Sequence, residues 1–122
     1  MMHKQVKEKM IINAQASKVW RILAHEFEYV AVWSSGLTDS MAMMDSQIPD
    51  GAFVGGRVCL SHGFGGDVEE AFTYYDEEGM RFGYQAVGDL PSYFNSAENN
   101  WQVQSLEPNK SLVTFKAKID LN

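Results

Sequence analysis

Ile12-Asn13-Ala14-Gln15-Ala16-Ser17-Lys18-Val19-Trp20-Arg21-Ile22-Leu23 is the stretch in which the chain changes its repeat. Before it, residues 4–12 alternate, with Val6, Glu8, Met10 and Ile12 on one side and Gln5, Lys7, Lys9 and Ile11 on the other. Alternation of this kind marks a β-strand, and its lysines suit a sheet edge. Ala14 to Ser17 break the pattern. Ser17 is a candidate N-cap, because a hydroxyl there can accept from a free amide of the first helical turn. Val19, Trp20, Leu23 and Ala24 then recur at helical spacing, which predicts a helix over residues 18–25. A second short stripe, Phe27, Val30 and Ala31, predicts another helix that Ser34-Ser35-Gly36 ends.

Outward from there the chain reads as strands and turns. Strands are expected near 37–44, 57–61, 68–75, 80–87, 95–104 and 112–121. The punctuation between them is Pro49-Asp50-Gly51, the glycines at 63, 65 and 66, the Asp76-Glu77-Glu78-Gly79 hairpin signal, the loop from Gly88 to Ser92, and a turn at Pro108. In the last strand Val113, Phe115, Ala117, Ile119 and Leu121 share a face, with Lys116 and Lys118 opposite. One strand, two helices and then consecutive antiparallel strands imply an α+β fold. With 122 residues and no repeat or linker, one domain over 1–122 is expected.

Composition narrows the function. The formal charge is −6, from ten basic and sixteen acidic residues. The lysines at 4, 7, 9, 110, 116 and 118 read as solvent faces of strands rather than a phosphate-tracking stripe, so nucleic acid is not expected as a partner. The single cysteine, Cys59, cannot form an internal disulfide, and the charged N-terminus is no secretory signal. No apolar run approaches the ~20 residues a spanning helix needs. A cytoplasmic protein without membrane insertion is expected.

The quoted stretch also resembles the opening of the START-related SRPBCC superfamily, in which a strand ends in an alanine-serine turn and enters a helix marked Val19-Trp20. Phe27-Glu28-Tyr29 and Trp33 look like that family's second short helix. Gly56-Arg57, Val68-Glu69-Glu70, Asp76, Tyr84 and Leu90-Pro91 continue the likeness in order, which covers nearly the whole chain and is nearest to the polyketide cyclase/dehydrase-like branch. The resemblance implies a helix-grip fold, a curved sheet of about seven antiparallel strands around a cavity and a long C-terminal helix. The sequence ends at Asn122, directly after the seventh strand, so that helix is expected to be absent.

The apolar face of the last strand, together with Phe82, Tyr84, Trp101 and Val103, would then form a patch larger than soluble monomers tolerate. A homodimer covering this face, a partner or a ligand is the expected remedy.

Candidate site residues follow. His62, at the end of the third strand, could hydrogen-bond a ligand or move a proton, since imidazole titrates near neutrality. Glu70 shares a face with Val68, Phe72 and Tyr74 if its strand is regular. Facing inward, it would be a general base or ligand anchor, and facing outward an ordinary surface acid. Asn99 is an amide in an apolar row with Trp101 and Val103, the kind of group that orients an apolar ligand. Trp33, Tyr84 and Trp101 could line the cavity, although ordinary core packing is the better explanation of each.

The three histidines lack metal-ligand spacing, and the glycine-rich turn lacks the Gly-Lys-Ser/Thr ending of a phosphate loop, so no metal or cofactor is expected. The leading reading is binding of a small apolar molecule (lipid, aromatic or polyketide-like) in a cavity on the concave face. The alternatives are a cyclase/dehydrase-like enzyme using Glu70 or His62, and a protein-interaction module using the uncovered face.

Overall fold

The computed structural model describes residues 2–61, 66–88, 90 and 93–122. Seven strands form one antiparallel sheet in the order β1-β7-β6-β5-β4-β3-β2. They are β1 (Met2–Ile12), β2 (Asp39–Ala42), β3 (Gly56–Leu60), β4 (Val68–Asp76), β5 (Arg81–Val87), β6 (Phe94–Glu107) and β7 (Lys110–Leu121). Between β1 and β2 lie α1 (Ala16–Trp20), a π-helical turn over Arg21–His25 and a 3-10 helix over Phe27–Val32. This is the expected helix-grip-like α+β architecture, and no helix follows β7 among the described residues. Among those residues, no helix is long and apolar enough to cross a membrane.

The sheet's register explains which side chains meet the helices. Met10 pairs with Val113 and Val113 with Val103, while Phe115 pairs with Trp101 and Trp101 with Phe82. Directly opposed residues point to the same side, so these apolar rows form one inner face. Val19, Trp20, Ala24 and Phe27 pack onto it against Phe82, Tyr84, Val103 and Val113, forming the buried core. The edge position expected of β1 is observed, and the inward side chains of its earlier residues stay exposed because no element covers them.

Three local expectations are corrected. Ser17 does not cap the helix. α1 begins one residue before it, Gln15 holds the N-cap position, and no side chain bonds to the first turn. The strand expected at 37–44 shrinks to Asp39–Ala42, and β6 extends beyond both ends of 95–104. Finally, β4 is not regular: its register shifts between Phe72 and Tyr74. The extra residue, Thr73, flips the alternation, so Phe72 and Tyr75 face inward, opposite Tyr84 and Phe82, and Tyr74 faces outward, opposite Gly83. Aromatic residues on both sides of this strand thus follow from a bulge.

The helix layer is tied to the sheet by polar contacts that are easy to overlook in a turn sequence. Glu77, in the β4–β5 hairpin, accepts from Trp20 Nε1 at 3.0 Å and Tyr75 OH at 2.7 Å and pairs with His25 Nε2 at 2.8 Å. Partial burial works to raise this carboxyl's pKa, but the hydrogen bonds from Tyr75, His25 and Trp20 outweigh it and hold the pKa below its ordinary 4.5. The stabilisation is therefore complete above about pH 4.5 and is lost as pH falls through the lower folded value. Thermal melts from pH 7 to pH 3 are expected to fall more steeply for the native chain than for Glu77→Gln. Parallel curves would remove Glu77 as a source of acid sensitivity.

Candidate functional site

A groove opens where the first helical segment lies over the β1–β7–β6 side of the inner face. Its helix wall comes from Val19, Ile22, Leu23 and the Lys18 stem, and its sheet wall from Met10, Ile12, Val113 and Trp101. Trp33 and Ala14 complete it, around a volume of about 280 Å3. No polar atom is exposed along these walls. The π-helical turn contributes Ile22 and Leu23. Glu26 donates its amide to the Arg21 carbonyl at 2.9 Å, which widens the helix by one residue where those side chains project. Ser111, fully buried, donates from Oγ to the Ala14 carbonyl at 2.6 Å and fixes the strand-to-helix corner beside the groove.

The sequence candidates divide around this groove. Trp33 and Trp101 are both in its wall, with ring centroids 6.5 Å apart in an edge-to-face arrangement. Trp101 also packs on Phe115 at 4.6 Å and donates from Nε1 to the Tyr84 hydroxyl at 3.3 Å. Tyr84 is buried behind the groove, where it borders a void of about 10 Å3 shared with Leu23, Trp33, Arg57, Phe82 and Trp101. Asn99 is on the inner face opposite Ala117 and Tyr84, outside the groove wall. His62 lies outside the described residues.

Glu70 faces inward, which resolves the two orientations its strand allowed. It pairs with Arg57 across β3–β4, and Arg57 Nε donates to Glu70 Oε1 at 2.7 Å. Both side chains are largely buried. Arg57 also donates from Nη1 to the Phe27 carbonyl at 3.0 Å and stacks over the Phe27 ring at 3.8 Å. The carboxylate is thus committed to a guanidinium, and it is not among the groove's lining groups.

Cys59 Sγ lies 3.6 Å from the same carboxylate oxygen. Burial, and then the charge of Glu70, push its thiol up to about 11, so Cys59 is protonated at neutral pH and poorly nucleophilic. In the sequence Arg57 stands out only as part of the Gly56-Arg57 likeness. The missed signal is an arginine between Gly56 and a β-branched residue in a strand that is otherwise apolar.

Among the described residues no group of three or more His, Cys, Asp or Glu side chains is placed to hold a metal ion.

A family model described as polyketide cyclase/dehydrase and lipid transport matches residues 3–122. The chain belongs to this family. No curated protein matches its sequence. Among solved structures it resembles a START superfamily protein from Mycobacterium smegmatis, with a TM-score of 0.78 at 14% identity over 99% of this chain and 79% of that one. Norcoclaurine synthase from Thalictrum flavum, in complex with dopamine and hydroxybenzaldehyde, gives 0.73 at 12% identity, covering 98% and 70%. An aromatase/cyclase from a Streptomyces species gives 0.74 at 12% identity, covering 99% and 70%. At such identities these structures establish the fold. Family and fold together place this cyclase-family chain among hydrophobic-ligand-binding or polyketide-cyclase-type proteins.

Proposed function

We propose that the chain binds a small aromatic or polyketide-like molecule in the groove between α1 and β7. One observation carries the reading: the groove is walled by apolar groups alone, with two tryptophans at right angles to hold a planar ring. Its size selects among apolar ligands. An apolar cavity of about 150 Å3 accommodates one benzene ring, so about 280 Å3 suits two fused rings better than a two-chain lipid. One indole would meet the ligand ring by its face and the other by its edge, and Ile22, 38% exposed at the rim, would close over it.

Titration with the fluorescent probe N-phenyl-1-naphthylamine tests this. The native chain is expected to bind it saturably, and Ile22→Trp, which fills the rim without touching the core, to weaken binding about tenfold or more. A single apolar ring displaced is worth roughly 1.5–3 kcal/mol, consistent with that factor. Unchanged affinity in Ile22→Trp would place the probe elsewhere and remove the groove from the account.

A cyclase-type activity is the second reading. What favours it is the inward carboxylate of Glu70 on the same sheet face. Under it, Glu70 would act as general base, and Glu70→Gln would abolish turnover in protein that circular dichroism shows to be still folded, despite the loss of the Arg57 ion pair. Binding ranks first because Glu70 is held by Arg57 and stands off the groove.

The rest of the inner face supports a dimer. Met2, Val6 and Met10 expose 57%, 47% and 48% of their surface beside Ala117 and Ile119, with Lys4 and Glu8 between them on the same face. Two copies packed on this row would shield it, and light scattering at micromolar concentration is expected to report a dimer that Ile119→Asp dissociates. A monomeric native chain would contradict this.

A further inference from the structure

We infer that the outer face of the sheet carries a binding site for a compact multivalent anion of the oligophosphate type, distinct from the apolar groove. The lysines at the two ends of the chain are scattered in sequence, but pairing of β1 with β7 brings them together. Lys7 stands directly opposite Lys116, Lys9 opposite Thr114, and Lys118 opposite Gln5. All four lysines are exposed on the face away from the helices. None of them takes part in an ion pair among the described residues.

Like charges directly opposed across a strand pair repel. The Lys7–Lys116 pairing is therefore unfavourable as it stands, on a chain whose net charge of −6 gives no general reason to gather cations.

The surface under these amines is hollow. A groove of about 300 Å3 runs from Lys7, Lys9 and Lys116 to Arg81, walled by Tyr74 and floored by Asn100. Residue 83 is glycine, and the Tyr74 ring and Asn100 Oδ1 lie over it, where a Cβ would come within 2.5 Å of both, so glycine lets these two side chains settle against the strand at the groove's end. The bulge at Thr73 turns Tyr74 outward to make the wall. A second hollow of about 450 Å3 continues between Lys7, Lys116 and Lys118, with Glu98 also in its wall.

Acids bound this positive area on two sides. Asp76 holds Arg81 at 3.0 Å, and Glu98 stands opposite Lys118. What remains uncompensated is the trio Lys7, Lys9 and Lys116, together with the amide groups between them. That pattern suits two or three linked phosphates, whose oxygens accept from ammonium groups and amides at once. It does not suit an extended polyanion, because Glu98 and Asp76 interrupt any longer track.

Inorganic tripolyphosphate is the probe. Calorimetry at low salt is expected to show saturable binding to the native chain, with a rise in melting temperature. Lys7→Gln/Lys116→Gln should weaken binding roughly tenfold or more, as loss of two charge-assisted contacts implies. Without the anion this variant should melt no lower than the native chain, because it relieves a repulsion. A control carrying Lys4→Gln and Lys110→Gln, outside the groove, should bind like the native chain. The inference is overturned if tripolyphosphate does not bind at millimolar concentration, or if the double variant binds it unchanged. It is equally overturned if anionic phospholipid vesicles or single-stranded DNA bind while tripolyphosphate does not.

Discussion

Arg57→Met is expected to lower the unfolding free energy by about 3–5 kcal/mol, the cost of stranding one member of a buried ion pair. Three contacts are lost together. The Glu70 carboxylate loses its 2.7 Å partner, the Phe27 carbonyl loses its donor, and the Phe27 ring loses the cation above it. Because domains of this size are stable by only about 5–15 kcal/mol, the effect is a large fraction of the whole. The double variant Arg57→Met/Glu70→Met should regain most of the loss, since two apolar side chains leave no charge uncompensated. Urea unfolding of both single variants and the double variant decides it. Equal loss in the single and double variants would mean that Arg57 acts through packing and its Phe27 contacts alone.

Phe27→Ala should be comparably severe, at about 3–5 kcal/mol. Phe27 is the residue through which the 3-10 helix enters the core, and only 1% of it is exposed. Its ring meets Phe72 at 4.2 Å, Tyr84 at 5.3 Å and Phe82 at 5.8 Å. A cavity there removes the contacts joining the helix layer to β4 and β5, and the charged Arg57 beside it is held by Glu70. Phe27→Leu should recover part of the loss, as a branched apolar side chain occupies some of the same volume. Denaturation midpoints that barely move in Phe27→Ala would show that the aromatic cluster is not what secures the helices.

The order of elements could be read from the chain because each carries its own local signal. The alternation of β1 and β7, the helical stripe of Val19, Trp20, Leu23 and Ala24, and the Asp76–Gly79 turn needed no distant partner. What escaped reading depends on contacts between distant segments. Thr73 carries no mark of a bulge, yet it decides that Tyr74 faces out and Tyr75 in. Glu77 looked like one of three acids in a hairpin signal, and only the fold brings Trp20 and His25 to it. The lysines at 7 and 116 became neighbours through a pairing across more than a hundred residues.

The candidate site shows the same division. Trp33 and Trp101 were identified as possible wall residues from hydrophobic patterning, whereas Met10, Ile22 and Val113 were missed because each reads as ordinary strand or helix packing. Glu70 was visible as a carboxylate in a β-prone run. Its commitment to Arg57 depends on the β3–β4 register, which no local pattern encodes.

A crystal structure of the native chain grown with N-phenyl-1-naphthylamine addresses the binding claim most directly. The account predicts the aromatic rings lodged between Ile22 and Val113, their edges against Trp33 and Trp101. Probe bound only on the outer face, or a groove closed by its own side chains with the probe excluded, would contradict it.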